Sequence, residues 1–139
     1  MNSCAICEKQ FTHKREVIYS NDRWMLVAVE SRTALGYLHL ETKRHIEHWH
    51  DLNEAEQHDF FHIVKVVESA LKEIIGSERL YMTSMNELVR HLHFHLIPRL
   101  EGSAKRGLPF ISEVIGGVPS VSLKEMDWVK GLKTHFVHV

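Results

Sequence analysis

The chain is poor in the features that would mark a membrane protein, a secreted scaffold or a polyanion binder. No apolar run approaches the roughly 18 residues of a membrane-spanning helix, and the first residues lack the apolar core of a signal peptide. No charge of one sign dominates: 17 Lys and Arg against 18 Asp and Glu leave a net charge of −1, with no basic stripe for long nucleic acid. A short anionic ligand held by local groups stays open. Cysteine is scarce, with two residues, Cys4 and Cys7, in Cys-Ala-Ile-Cys. A thioredoxin-type redox pair would follow a strand and open a helix, and nothing strand-like precedes this one. The two-residue spacing instead suits two thiolates on one metal, with further ligands from elsewhere. There is no repeat, linker or second domain, so the expectation is one soluble, cytoplasmic domain over 1–139.

Histidine is the abundant exception, with 12 residues. Half of them lie within 39–62, where most read as exposed side chains; the informative ones lie in His91-Leu92-His93-Phe94-His95-Leu96-Ile97-Pro98-Arg99. Strict alternation with apolar residues is the period of a β-strand, placing His91, His93 and His95 on one face and Leu92, Phe94 and Leu96 on the other. At roughly 3.4 Å per residue His91 and His95 are about 13 to 14 Å apart, too far to share one metal without a bulge. The three histidines therefore have different jobs.

Around this strand the pattern predicts a hairpin over 16–29, a strand over 37–41 with Tyr37 and His39 facing the same way, and a strand over 80–83. Asn53 and Glu56 have capping-box spacing, and apolar residues recur at helical intervals from Phe60 to Ile75, predicting one long helix over 54–75. Trp24 reads as core, and His58 and His62 as surface or boundary positions. Pro98 reads as the end of the histidine strand. Ser122 and Glu125 repeat the capping spacing ahead of a C-terminal helix over 123–133. The fold class is α+β: a mostly antiparallel sheet of about five strands with one main helix and a C-terminal helix.

The stretch 91–99 resembles the His-φ-His-φ-His-φ-φ signature of the histidine triad (HIT) superfamily of nucleotide hydrolases and transferases, in the form that continues with Pro-Arg. Cys4 to Cys7 and the segment 36–45 support the same likeness. The resemblance implies an antiparallel sheet joined to that of a second subunit in a homodimer. It implies attack by the central histidine, His93, on the α-phosphorus of a nucleotide conjugate. Water or another acceptor would resolve the covalent nucleotidyl-histidine, while His95 contacts the phosphate and assists the leaving group. The expected substrates are dinucleoside polyphosphates, nucleoside phosphoramidates or related small nucleotide conjugates.

By the same resemblance a structural zinc is held by Cys4, Cys7, His45 and His91, with His48 or His50 as alternatives to His45. Two positions depart from the family pattern. Tyr37 follows Gly36 where a fourth histidine is common, and Glu87 stands where Gln or Asn is common. Tyr37, Glu87 and Arg99 are the expected substrate contacts; for Arg99 a structural ion pair is the competing reading. Two other functions are kept open: a nucleotide-binding regulatory module of weak catalytic power, and a zinc-dependent hydrolase with its metal on the His91 to His95 face.

Overall fold

A computed structural model describes residues 4–12, 15–29, 34–117 and 127–139. Five strands form one antiparallel sheet: β1 (Val17–Ser20), β2 (Trp24–Ala28), β3 (Leu38–Thr42), β4 (Ser77–Thr83) and β5 (His93–Leu100), in the order β1-β2-β3-β5-β4. Asn21 closes the first hairpin, its side-chain oxygen accepting from the backbone N–H groups of Arg23 and Trp24.

Helix α2 (Glu54–Ile75) follows its sequence signals to the residue. Asn53 and Glu56 form the reciprocal capping box, and Gly76 takes the left-handed conformation that closes the helix. Its apolar stripe, with Ile63, Val67, Ala70 and Leu71, packs on Trp24, Leu26, Leu38, Leu40, Phe94 and Leu96 of the sheet, joined by Trp128 and Leu132 from α4 (Asp127–His135). The buried Trp24 donates its indole N–H to the Glu56 carbonyl. His58 and His62 lie exposed on α2. The expected cap of the C-terminal helix at Ser122 and Glu125 lies outside the described residues.

The opposite face of the sheet is the one that carries the histidines. Part of it is covered by α3 (Gly107–Gly116), whose Phe110 and Val114 form a second, smaller core with Ala34, Tyr37 and Ile97. The helical pattern is obscured there by glycine at both ends and by Pro109, which the first turn accommodates because its N–H would have no helical partner. Helix α1 (Ala5–Thr12) is likewise absent from the sequence expectations: Ile6 is its one buried residue, so no apolar stripe announces it.

Two expectations for the histidine strand need correction. β5 begins at His93, so His91 precedes it, and β5 runs through Pro98 to Leu100. β3 begins only at Leu38, opposite Leu96, so beside Pro98 that side of the ladder has no bond for the missing N–H to break. Gly36 passes close by instead, at φ +83, where an added Cβ would lie 2.9 Å from Pro98 Cγ and 2.8 Å from Ile75 Cδ1.

Candidate active site and metal centre

His91 stands between two centres. Its Nε2 donates to the Thr42 carbonyl at 2.7 Å, which leaves Nδ1 as the bare nitrogen. That nitrogen lies 3.4 Å from the sulfurs of both Cys4 and Cys7, and His45 Nδ1 lies 3.4 Å from Cys7 Sγ. All four candidate ligand atoms fall within 4.8 Å of one another. Bond lengths of about 2.3 Å to sulfur and 2.0–2.1 Å to nitrogen at a tetrahedral angle put neighbouring ligands about 3.5 Å apart. The spacing and the two-sulfur, two-nitrogen donor set therefore suit a divalent metal, with the Thr42 carbonyl orienting one ligand from behind. Burial and the adjacent Cys4 sulfur push the Cys7 thiol up to about 11, a proton that metal binding would displace. Sequence reasoning left His45 open against His48 and His50. The structure brings His45 to the sulfurs; His48 and His50 stack on each other, exposed, and are not part of that cluster.

The carbonyl of His91 also accepts from His93 Nδ1 at 2.7 Å, fixing the His93 ring as the tautomer whose Nε2 is free of hydrogen. The backbone around it is held by Asn86, whose side-chain oxygen accepts from His93 N–H at 3.0 Å, and by Ser84, which donates to the His93 carbonyl at 2.8 Å. Asn86 sits at φ 55 to do this and donates to Ser84 Oγ. Opposite His93 in the sheet, the buried Glu41 takes two N–H donors from Arg15, at 2.6 and 2.8 Å, and one from Gln10, tying the N-terminal segment to this face.

His95 lies opposite His39 in the sheet, and their rings meet edge to face with centroids 4.7 Å apart. His93 is 5.4 Å from His95 and 6.0 Å from His39 by the same measure. The Tyr37 hydroxyl reaches both His95 Nδ1, at 2.7 Å, and His39 Nε2, at 3.2 Å. Burial, and then the neighbouring His93, lower His95 to about 4; burial and then His95 and His93 lower His39 to about 3. Burial raises the Tyr37 phenol to about 12. At neutral pH the cluster's buried members are uncharged hydrogen-bonding groups.

The three expected substrate contacts have the following surroundings. Tyr37 is buried and spends its hydroxyl on two histidines. Glu87 is exposed and lines a cleft of about 410 Å³ with Glu47, His48, Trp49 and Arg90, while its neighbour Asn86 makes the contact to His93. Arg99, 3% exposed, pairs with Glu78 at 3.3 Å and donates to Tyr81 Oη, which also accepts from Gly107 N–H at the start of α3. The reading of a metal on the His91 to His95 face is not favoured: His91 Nδ1 turns to the cysteines, and among the described residues His93 and His95 join no metal-capable cluster. His39 and Asn86 were missed as site residues, though the alternation that put His39 beside Tyr37 was the available signal.

The HIT domain family model matches residues 10–102, well over half of the chain. The chain belongs to the HIT family. No curated protein matches significantly. Solved structures similar to this HIT protein include a hypothetical histidine triad nucleotide-binding protein from Sulfolobus tokodaii strain7, 17% identical with a TM-score of 0.71, covering 95% of this chain and 91% of that one. A histidine triad protein from Bradyrhizobium japonicum is 20% identical, with a TM-score of 0.71 and coverage of 91% and 93%. A Zn-bound histidine triad family protein from Mycobacterium smegmatis is 14% identical, with a TM-score of 0.71 and coverage of 96% and 92%. At these identities the likeness establishes the shared fold.

Proposed function

We propose that this HIT protein is a nucleotidyl hydrolase or transferase acting at the α-phosphate of a dinucleoside polyphosphate, a nucleoside phosphoramidate or a related nucleotide conjugate. The observation that carries the reading is the hydrogen bond from His93 Nδ1 to the His91 carbonyl, which leaves a bare Nε2 at the centre of a face of uncharged donors. His93 Nε2 bonds to the α-phosphorus as the P–O or P–N bond breaks, and the leaving group departs with that bond's electron pair and takes a proton from solvent. Water or another acceptor then takes the nucleotidyl group and frees the imidazole. His95 contributes by donating to the phosphate oxygens as charge redistributes. Arg99 and Glu87 are left out of the substrate contacts because of their surroundings.

The metal is read as a structural zinc on Cys4, Cys7, His45 and His91, a closed four-ligand set that holds α1 and the segment before β5 together. The nucleotide-binding name of one similar structure supports the ligand class, and the Zn-bound relative supports the metal. A second copy is expected to extend the sheet along β4, the edge strand, where Met82 is 43% exposed and no described strand pairs on the outer side. No described helix is long and apolar enough to cross a membrane, in keeping with a cytoplasmic enzyme.

The test is intact-mass spectrometry of wild type and His93→Ala after brief mixing with adenosine phosphoramidate or diadenosine polyphosphates. A denaturation-stable adduct of one AMP on wild type alone is expected, with a zinc mass in the native spectrum that disappears in Cys4→Ser. Equal turnover by a folded His93→Ala protein would overturn the assignment. Noncovalent binding without adduct or product would favour the regulatory module.

A further inference from the structure

Tyr37 has one hydroxyl proton and two imidazole nitrogens within reach, so it donates to one and accepts from the other. The two rings therefore cannot choose their tautomers independently. The 2.7 Å contact to His95 Nδ1 has the length of an O–H donor, and the 3.2 Å contact to His39 Nε2 that of an N–H donor. The order is then His39 Nε2–H to Tyr37 oxygen, and Tyr37 O–H to His95 Nδ1, with the hydrogen of His95 on Nε2.

The surroundings favour uncharged rings. His93 and His95 face His39 from β5, while Lys9 and Arg15 face it from the N-terminal segment. Two residues further along β3, the Glu41 carboxylate is committed to Arg15 and Gln10. Tyr37 is held in place by the core it shares with Ile97, Phe110 and Val114.

We infer that Tyr37 and His39 are positioning residues that hold His95 as the neutral Nε2–H tautomer, making it a fixed hydrogen-bond donor toward a phosphate oxygen. The purpose of the device rests on the reading of His95 as the phosphate contact; the geometry of the device does not. Its effect is pre-organisation, since a ring free to exchange tautomers would present a lone pair to an anionic oxygen part of the time. Such a site grips phosphate through uncharged N–H groups rather than through an imidazolium.

Long-range ¹⁵N–¹H spectra of histidine-labelled protein at pH 7 read the tautomers directly, whether or not the protein turns over substrate. Wild type is expected to show the His95 hydrogen on Nε2. Tyr37→Phe, which keeps the ring in its core, and His39→Leu are expected to give averaged shifts from mixed tautomers, while His39→Gln, which keeps an N–H donor, restores the single form. With adenosine phosphoramidate, Tyr37→Phe and His39→Leu should lower kcat on the order of tenfold with KM within about twofold, and His39→Gln should recover most of the loss. A wild-type hydrogen on Nδ1, or a His95 tautomer unchanged in both Tyr37→Phe and His39→Leu, overturns the inference. If wild type itself fails to turn over any nucleotide conjugate, the proposed reaction falls while the spectra still decide the tautomer.

Discussion

The carbonyl of His91 accepts a hydrogen bond from His93 Nδ1, so the residue whose ring turns toward Cys4 and Cys7 also aims the ring proposed to attack phosphorus. The metal-capable cluster and the histidine face are thus joined through one residue's backbone. For protein loaded with the proposed zinc, a chelator strong enough to remove it is expected to lower Tm by roughly 10 °C or more, because ligand binding to the folded state is folding free energy. Activity measured well below that lowered Tm should persist in part. Complete and immediate loss in protein that circular dichroism shows to be folded would assign the metal to the reaction instead.

Acid stability follows from the buried rings. His95 and His39 have folded pKa values of about 4 and 3, below an unfolded value of about 6.5. Between about pH 6.5 and 4 the unfolded chain takes up protons that the folded one refuses, so stability falls as pH falls through this window and is constant in this respect above it. The carboxylates held low by ion pairs, Glu56 with Arg44 and Glu78 with Arg99, add their loss only further into acid. Urea midpoints of metal-loaded protein should drop from pH 6.5 to 5, and the drop should be shallower in His39→Gln. An unchanged slope in that variant would show that the His39 ring charges freely in the folded state.

Arg99→Met is expected to cost stability rather than affinity. It removes donors from Tyr81 and Glu78 beneath the start of α3, a loss of about 1–2 kcal/mol because Glu78 can turn to water. Thermal melts together with KM for a nucleotide conjugate check this; a raised KM at unchanged Tm would return Arg99 to the substrate contacts.

Gly36→Ala should be among the more damaging single-methyl additions. The position combines φ +83 with an added Cβ under 3 Å from both Ile75 and Pro98, the meeting point of α2 and β5. Backbone strain and overpacking together should cost about 2–4 kcal/mol in denaturant unfolding. A loss under about 0.5 kcal/mol would mean that the two side chains simply move aside.

What could be read from the amino acids alone follows physical lines. α2 was legible because capping chemistry at Asn53 and Gly76 brackets a periodic apolar stripe, and the face shared by His93 and His95 because period-two alternation marks a strand, though the same alternation drew in His91, which precedes β5 and turns to the cysteines. α1 and α3 were not, since one buries a single residue and so shows no apolar stripe, and the other is punctuated by glycine and proline. The metal-capable four were nameable only through the family likeness, as spacing along a chain does not reveal that His45 and His91 meet. Asn86 escaped because its role depends on a left-handed turn, and His39 because a single histidine in a strand has no distinguishing pattern until its neighbour across the sheet is known.

That neighbour is far away in sequence. His39 meets His95 only after β3 and β5 pair, although α2 and β4 lie between them along the chain. Closing so long a loop is entropically costly and slow compared with forming the β1–β2 hairpin or winding α2. A partly folded chain that has both of those local elements still lacks the face that brings His39, His93 and His95 together. Ligand capture during refolding should therefore lag behind the appearance of helical signal and serve as a kinetic marker for the last long-range strand pairing.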